Sequence, residues 1–366
     1  MSDGTSIEWA ALGLGKGASW SPVRARNLVT RNIGWFCEKV SDGCSRCYAE
    51  RLNRDRFGTM LPYKPGHRAD VEIYLDEKTL LQPPHWRAPR GVFVCSMTDL
   101  FGDWVPDEWI DKILAVAALC PQHRFAVLTK RSARMRAYMS NSETKGRIGA
   151  IVFVDKLRSG AADAESYRSQ EGRLWPLPNV WLLVSAENQQ RADERIPELL
   201  ATPAAVRGVS IEPMLGPVDL RQISDRKTFS LDALDGTRCF PYDERSFDER
   251  GFVTAWCCRD DDAFSKLDWI IVGGESGPSA RPMNPAWARD LRDQCAATGT
   301  AFHFKQWGTW ADVNQPENGA LVMESRERHF WPDKSGQMMR VGKKRAGRLL
   351  DGRQWDQFPG DEKWPT

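Results

Sequence analysis

Short apolar segments alternate with helical segments over most of the chain, and this alternation restricts the possible folds more than any other feature. The apolar segments are about six residues long, which is typical of strands covered on both faces. Strands that alternate with helices predict a parallel β/α architecture. We expect strands over residues 91–97, 124–130, 179–185, 207–213, 268–275 and 300–305, and helices over 107–120, from 132, over 192–200 and over 285–298.

The length fits one barrel-sized domain with additions. The chain has 366 residues, and β/α barrels often exceed ~250 residues as one unit. We therefore predict a single domain over residues 1–366, a TIM-like parallel β/α barrel that is partial or complete. The terminal segments lack the strand–helix rhythm, so we expect irregular N-terminal and C-terminal additions. Within the domain we distinguish three segments: a cysteine loop at 35–51, an insertion at 221–266 and a C-terminal extension at 309–366.

Polar or ionisable residues stand at the end of nearly every predicted strand. In β/α barrels the carboxyl ends of the strands form one rim, and that rim carries the active site. A single polar residue after a strand is more often a helix cap, but six such endings in succession are hard to explain in that way. We therefore predict a functional site at this rim. Its candidate residues are Asp99, Lys130, Ser185, Glu187, Glu212 and Glu275.

Three cysteines, Cys37, Cys44 and Cys47, lie within one loop and the start of the helix that follows it. The last two form a C-x2-C pair, and the composition of residues 41–43 favours a turn that would bring Cys37 to the same point. A closed structural zinc site uses four ligands, whereas three cysteines suit a [4Fe–4S] cluster with one iron open to a small molecule. A zinc site completed by a distant residue, and thiols without a metal, are the alternatives.

Two groups of basic residues are candidates for anion contacts. Arg24, Arg26 and Arg31 stand just upstream of the cysteine loop, where they form either a solvated face or a site for a phosphate or carboxylate. The run from Arg340 to Arg348 forms either a solvated face or a contact to a phosphate backbone.

Composition excludes several classes of protein. The net charge is +2, so no strong overall positive field predicts binding to nucleic acid or membranes. The nine cysteines occur in a long chain without a secretory signal, which argues against a disulfide framework. No stretch approaches ~18 consecutive apolar residues, so we expect no membrane span. A reducing cytoplasm fits these features.

The remaining cysteines have less informative positions. Cys239, Cys257 and Cys258 lie in the insertion, which is either a site for an auxiliary metal or a flap that is disordered or faces a partner. The other cysteines, and the histidine of the last predicted strand, fit buried positions. They are Cys95, Cys120, Cys295 and His303.

The ordered set of motifs resembles that of the phage-type three-cysteine-motif proteins, a family similar to a divergent branch of the radical S-adenosylmethionine (SAM) superfamily. The resemblance runs from residue 5 to residue 353. Within the superfamily the nearest similarity is to spore photoproduct lyase, a DNA repair enzyme. Besides the cysteine loop, the motifs are Ser96-Met-Thr-Asp-Leu-Phe-Gly-Asp103, Val127-Leu-Thr-Lys-Arg131, Val184-Ser-Ala-Glu-Asn188, Ser210-Ile-Glu-Pro-Met-Leu-Gly-Pro217, Val272-Gly-Gly-Glu-Ser-Gly277 and Phe304-Lys-Gln-Trp-Gly308.

The resemblance implies a chemistry and a role for each candidate. The three cysteines would ligate three irons of a [4Fe–4S] cluster, and the fourth iron would take the amino and carboxylate groups of SAM. Reductive cleavage of SAM would then release a 5′-deoxyadenosyl radical. Lys130 and Ser185 match positions that contact the methionine carboxylate and amine of SAM. The rim carboxylates Asp99, Glu187, Glu212 and Glu275 would hold the amine, the sulfonium side or the ribose hydroxyls.

Two features depart from the superfamily pattern. The cysteine spacing is C-x6-C-x2-C, whereas the usual spacing is C-x3-C-x2-C. The superfamily's Gly-Gly-Glu element follows the second strand of the barrel, but Gly273-Gly-Glu275 comes late in this chain. We therefore interpret this segment as a backbone turn that approaches a ligand closely.

These observations predict a radical SAM-like iron–sulfur enzyme that repairs or modifies a nucleic-acid base or nucleotide and takes electrons from an external donor. The alternative is a metal-stabilised module that binds DNA or a partner protein without SAM chemistry. A hydrolase that uses the rim carboxylates and a divalent metal is a third hypothesis, but the sequence lacks the close carboxylate pairs that we would expect of it.

Overall fold

The structure is a computed structural model of the chain. It describes residue 5 and residues 7–158, 175–224, 230–241, 256–259, 265–315 and 327–360. The chain divides into two compact units. The first contains Met1–Leu183 and Thr202–Val206, and the second contains Val184–Ala201 and Arg207–Thr366. The single domain over 1–366 stays a prediction.

Strands and helices occur in both units. The strands are β1 (Gly17–Trp20), β2 (Val23–Asn27), β3 (Ile33–Gly34), β4 (Val71–Leu75), β5 (Gly91–Val94), β6 (Arg124–Thr129), β7 (Val180–Ser185), β8 (Val206–Ile211), β9 (Ile223–Ser224), β10 (Ser230–Leu231), β11 (Arg238–Pro241), β12 (Trp256–Arg259), β13 (Trp269–Gly273), β14 (Ala301–Gln306), β15 (Trp310–Asp312), β16 (Arg328–Phe330) and β17 (Gln337–Arg340). The α-helices are Tyr48–Asp55, Glu77–Leu80, Asp107–Ala118, Ser132–Ser140, Thr144–Arg158, Gln189–Leu200, Pro285–Thr298 and Lys343–Ala346.

A seven-stranded sheet contains every strand that the sequence predicted. Its order is β1-β5-β6-β7-β8-β13-β14. The pairs β1–β5, β5–β6, β8–β13 and β13–β14 are parallel. The predicted α/β class with a parallel sheet is therefore confirmed, and the arrangement is consistent with a partial TIM-like fold. The predicted bounds of these elements lie within about three residues of the observed ones, because hydrophobic periodicity is a local signal.

The N-terminal addition is not wholly irregular, so that part of the fold prediction was wrong. Residues Gly17–Trp20 form β1, an edge strand of the parallel sheet beside β5. The short 3-10 helix Glu8–Ala11 packs closely against β5, since a Cβ at Gly91 would overlap the backbone of Ala10 and its neighbour. Four residues are too few to show a periodicity, and their burial depends on this non-local packing.

Small antiparallel sheets lie outside the parallel sheet. In the first unit, β2 pairs with β3 and β4. In the second unit, the insertion forms a sheet of order β12-β11-β10-β9, and the C-terminal extension forms one of order β15-β17-β16. The sequence had predicted an irregular C-terminal extension, and the strands β15, β16 and β17 show that this prediction was wrong for part of it. The backbone register places Cys239 opposite Cys258. The side chains of Cys239, Cys257 and Cys258 lie outside the described ones, so the choice between an auxiliary metal site and a flap stays open.

Capping residues explain why the helix Pro285–Thr298 begins and ends where it does. The side chain of Asn284 accepts a hydrogen bond from the backbone N–H of Ala286 at 3.0 Å, and proline occupies the first helical position. The helix ends at Gly299, whose φ of +68° suits glycine. In the described part of the chain, no helix has the length and apolarity that a membrane crossing needs.

Packing around β5 yields a prediction about stability. Gly91→Ala should lower the free energy of unfolding by roughly 1–3 kcal/mol, because the added methyl group has no room beside the Ala10 backbone. The matched control is Gly146→Ala in the helix Thr144–Arg158, where a Cβ meets nothing within 4 Å. That change should stabilise the protein by up to about 1 kcal/mol. Urea unfolding measures both, and equal effects would contradict the packing described for β5.

Candidate metal and cofactor site

Each of the three loop cysteines has a defined backbone position in the first unit. Cys37 follows β3 by three residues, Cys44 ends a 3-10 turn that begins at Asp42, and Cys47 caps the N-terminus of the helix Tyr48–Asp55. The turn is closed by a hydrogen bond from the Cys44 N–H to the Ser41 carbonyl at 2.9 Å. The structure therefore contains the turn that the sequence predicted between the first two cysteines.

The three thiols are free and half-buried, and they influence one another electrostatically. Cys37 and Cys47 pack against the same buried residues, which include Tyr63 and Met97. Cys44 acts on the pKa values of both Cys37 and Cys47. The structure thus brings all three sulfurs into one neighbourhood, although they come from three different local conformations.

Burial disfavours the thiolate form of these cysteines. Burial, and next the Asp99 carboxylate, raise the pKa of the Cys37 thiol above its usual range, while Arg131 opposes this effect. Burial also raises the pKa of Cys47, but the backbone N–H groups at the start of its helix and the Lys130 ammonium oppose the rise. Cys37 and Cys47 are therefore neutral thiols near pH 7, and a metal that binds them has to displace their protons.

Cysteine sulfur is the donor type of sulfur-rich metal groups. Within the described ranges, however, no group of three or more His, Cys, Asp or Glu side chains is arranged so that it could hold a metal ion. Two buried indole N–H groups near the cysteines have no acceptor among the described residues, those of Trp35 and Trp104. Trp35 packs on the apolar cluster that contains Cys37 and Cys47, and Trp104 stacks edge-on against Phe36 at 5.1 Å between centroids. These two indole N–H groups are therefore buried donors that no described residue satisfies.

A buried asparagine holds the cysteine loop to its helix. Asn53 is fully buried, and its Oδ1 accepts hydrogen bonds from the N–H of Trp35 at 2.9 Å and of Thr59 at 3.2 Å. Its Nδ2 donates to the Thr59 hydroxyl at 2.8 Å. Side chains at Gly34 or Gly58 would overlap this amide. The two glycines are therefore needed where the backbone approaches Asn53 on both sides.

Asp99 lies at the centre of a hydrogen-bond network instead of facing open space. Its carboxylate accepts from the Thr129 hydroxyl at 2.7 Å and from the Lys130 N–H at 3.2 Å. It also forms a 3.0 Å ion pair with Arg131, whose other terminal nitrogen donates to the Glu38 carbonyl at 3.2 Å. Arg131 thereby connects the end of β6 to the cysteine loop.

Lys130 is the candidate ammonium of the first unit. It is half-buried directly after β6, and its charge lowers the pKa of Cys47. The ammonium therefore lies within electrostatic range of that sulfur. A cation in this place can oppose the charge of a thiolate and can also attract a carboxylate.

In the second unit, Glu187 belongs to a buried ion pair. Its side chain is 0% exposed, and Oε2 lies 3.0 Å from a guanidinium nitrogen of Arg195. The same nitrogen donates to the Ser185 carbonyl at 2.6 Å. Arg195 lies in the helix Gln189–Leu200, so this pair fixes the end of β7 to the helix that follows it.

The other two candidate carboxylates of the second unit also carry cations. Glu212 lies 2.6 Å from the Lys305 ammonium at the end of β14. Its backbone carbonyl accepts a long 3.5 Å hydrogen bond from the Ser185 hydroxyl. Glu275 receives two guanidinium contacts from Arg281, at 2.6 and 3.0 Å. Each carboxylate is thus neutralised within its own unit.

The Gly273–Gly274 turn approaches protein backbone, which differs from the ligand contact that we predicted. A Cβ at Gly274 would overlap the Trp307 carbonyl, and the N–H of Thr309 donates to the Glu275 carbonyl at 2.9 Å. Gly308, with a φ of +82°, completes the close contact. The turn therefore joins the end of β13 to the segment after β14.

Sequence reasoning missed the cationic partners of these carboxylates. Arg131 and Lys305 belong to motifs at the ends of predicted strands, but no pattern in the neighbouring sequence links Arg131 to Asp99 or Lys305 to Glu212. The spacing of Arg281, six residues after Glu275, gives no helical signal. Distance in the chain hid the pairings of Arg131 and Lys305, whereas Arg195 stands only eight residues beyond Glu187.

The remaining candidates have structural contacts. Burial, with Arg348 and Lys305 nearby, lowers the pKa of His303 to about 3, so this residue is neutral near pH 7 as a core histidine.

In the basic run, Arg340 pairs with Glu327 and Arg348 pairs with Asp356. Cys95, Cys120 and Cys295 are buried and free, as expected.

The buried pair in the second unit yields a prediction. Glu187→Gln should lower the free energy of unfolding by about 3 kcal/mol, because the buried Arg195 loses its counter-charge. The matched control is Glu194→Gln, which breaks an exposed pair with Arg191 of the same helix and should cost less than about 1 kcal/mol. Chemical denaturation measures both losses. Similar losses for the two variants would contradict the assigned importance of burial.

A family model described as a protein of unknown function (DUF5131) matches residues 28–359, a range that includes the cysteine loop and every rim candidate. The comparisons with curated proteins and with solved structures found no match.

Proposed function

The chain belongs to the DUF5131 family, and we propose that it is a radical SAM-like iron–sulfur enzyme. In this proposal, Cys37, Cys44 and Cys47 bind a [4Fe–4S] cluster whose fourth iron binds SAM. A nucleic-acid base or nucleotide is the proposed substrate, and an external donor supplies the electrons. The parallel sheet is then a partial barrel of the radical SAM type.

The grouping of three free thiols in one neighbourhood is the observation that carries this proposal. The other cysteines of the first unit, Cys95 and Cys120, are free and buried, and neither is among the main influences on the pKa values of Cys37 and Cys47. A closed four-cysteine zinc site therefore lacks its last ligand within this unit. Three cysteines leave one iron of a cube open, which suits a small-molecule ligand.

Residues around the thiols supply what such a group needs. Arg131 and Lys130 oppose the negative charge of the ligated thiolates, since each already lowers the pKa of one loop cysteine. The indole N–H groups of Trp35 and Trp104 are donors available to sulfur. Packing around Met97 and Tyr63 limits the access of water to two of the thiols. When bound, a reduced cluster supplies the electron that cleaves SAM.

Candidates for SAM contacts are fewer than the sequence suggested. Asp99 is engaged by Thr129, Lys130 and Arg131, so a structural role suits it better than a contact to the SAM amine. Lys130 keeps its proposed role toward the methionine carboxylate. The remaining proposed SAM contacts are supported by the family resemblance alone. They are those of Ser185, Glu187, Glu212 and Glu275.

The first experiment tests whether the three loop cysteines bind an iron–sulfur cluster. Anaerobically purified protein should be brown and contain iron and acid-labile sulfide, and replacing Cys37, Cys44 or Cys47 by alanine should abolish both. Cys120→Ala is the matched control, because this thiol is free and buried but lies outside the loop. With reductant and SAM, the loaded protein should form 5′-deoxyadenosine. A colourless protein with stoichiometric zinc would contradict the proposal.

One observation favours a second function, a metal-stabilised binding module without SAM chemistry. All four rim carboxylates are already paired with cations of the protein, so none needs a ligand for neutralisation.

Substitution of Lys130 separates the two functions. Under the enzyme hypothesis, Lys130→Ala and Ser185→Ala weaken SAM binding while the iron content stays unchanged, because neither residue is a metal ligand. Lys112→Ala, which removes an exposed lysine paired with Glu77, is the control and should bind SAM normally. Equilibrium dialysis with labelled SAM measures the effect. If the loaded protein does not bind SAM at all, the binding module is favoured.

A further inference from the structure

The segment that carries the cysteines is far more basic than the rest of the chain. Residues 24–68 contain ten lysines and arginines and four acidic residues, a net charge of +6, whereas the whole chain has a net charge of +2. Eight of these ten basic residues are arginines. The overall charge therefore hides a strong local positive field in the first unit.

The same segment contains most of the large apolar side chains that lie exposed. Among the described residues ten such side chains are exposed, and seven of them fall between residues 28 and 60. Scattered exposed apolar residues are normal, but a concentration of them marks an interaction site. The extreme case is Val29, which is 88% exposed.

Five of these exposed side chains lie in two adjoining segments, the β2–β3 hairpin and the loop after the helix Tyr48–Asp55. We name these five side chains the hairpin surface. The turn between β2 and β3 contributes two of them and β3 one, and the loop after the helix Tyr48–Asp55 contributes the others. The Asn27 amide donates to the Thr59 carbonyl at 2.9 Å, so the two loops are in direct contact. The side chains of the hairpin surface are Leu28, Val29, Ile33, Phe57 and Met60.

The turn that presents Val29 is well ordered by hydrogen bonds. Oδ1 of Asn27 accepts from the N–H groups of Val29 and Thr30, both at 2.9 Å. The N–H of Arg31 donates to the Asn27 carbonyl at 3.0 Å, and Arg31 has a φ of +61°. A fixed turn presents its apolar side chains at a smaller entropic cost on binding than a loose loop would.

Exposed cations lie on the same segments. Arg31 is exposed in the turn itself, and Arg56 precedes Phe57. Leu28 donates to the Asp70 carbonyl at 2.9 Å, which connects the turn to the stretch that carries the exposed Lys64 and Arg68. The arginines that the sequence singled out upstream have other contacts: Arg24 stacks on Trp35 and Arg26 pairs with Glu72.

We propose that the hairpin surface docks nucleic acid, with its apolar side chains against bases and Arg31 and Arg56 against phosphates. Arginine outnumbers lysine here, and its planar guanidinium binds phosphate in a bidentate manner. Apolar wedges beside cations are typical of proteins that unstack bases. The choice of nucleic acid as the partner rests on the proposed function. The position of the binding surface is inferred from the exposed apolar and basic residues alone.

Fluorescence anisotropy with labelled oligonucleotides tests the proposal. Single-stranded DNA, duplex DNA and RNA of about 20 nucleotides, longer than the sites of typical single-strand binders, would be titrated at several salt concentrations. Val29→Ser should weaken binding by on the order of tenfold at constant salt, through lost apolar burial. Arg31→Ala should reduce the slope of log K against log salt by about one. The arm that binds best identifies the form of nucleic acid.

Matched controls lie on the same unit outside the hairpin surface. Leu81→Ser and Arg87→Ala change an exposed apolar and an exposed basic residue, and both should bind like the unmodified chain. Val29→Ser and Arg31→Ala variants that bind like these controls would overturn the proposal. Val29-dependent binding to vesicles of phosphatidylglycerol and phosphatidylcholine, without oligonucleotide binding, would overturn it in favour of a membrane surface.

The outcome is separable from that of the proposed function. The Cys37→Ala variant changes no residue of the hairpin surface, so it should keep oligonucleotide binding while it loses iron. Intact binding in a chain that never incorporates iron contradicts the enzyme hypothesis alone. Normal iron content with binding that is insensitive to Val29 and Arg31 contradicts the docking proposal alone.

Discussion

A carboxylate that is buried at the end of a strand requires a counter-charge, because an isolated charge in a protein interior costs several kcal/mol. This constraint governs the strand ends of both units. The pairs Asp99–Arg131, Glu187–Arg195 and Glu275–Arg281 meet it, and Glu212–Lys305 repeats the pattern at a half-buried carboxylate. The rim residues that a barrel pattern marks as candidates for binding are therefore also the residues that fix loops and helices to the sheet, and Asp99 and Arg131 extend this role to the cysteine loop.

The cysteine loop shows how such anchoring can prepare a metal site. Asn53 holds the entry to the loop and the end of its helix through one buried amide, and Gly34 and Gly58 leave room for it. The thiols gathered there are desolvated, which raises the pKa of Cys37 and Cys47 and keeps them protonated until a metal displaces the proton. The first unit thus holds partly shielded thiols beside the cations Lys130 and Arg131.

The sequence predicted the elements of the parallel sheet well, because apolar periodicity and capping residues act over a few neighbours. The helix Pro285–Thr298, bounded by Asn284 and Gly299, fell at its predicted limits. The sequence missed β1, whose burial depends on packing against Glu8–Ala11, and it missed the cations. Asp99 and Arg131 lie thirty-two residues apart, and only the folded chain brings them together.

Mössbauer spectroscopy of protein loaded with iron-57 tests the proposed cluster, since it resolves the individual iron sites and shows whether one of them changes when a ligand binds. The proposed radical SAM-like function predicts a [4Fe–4S] spectrum in which one iron of the four changes its isomer shift when SAM is added, because Cys37, Cys44 and Cys47 would ligate the other three. A spectrum in which SAM alters no iron, or a protein that takes up no iron at all, would contradict it.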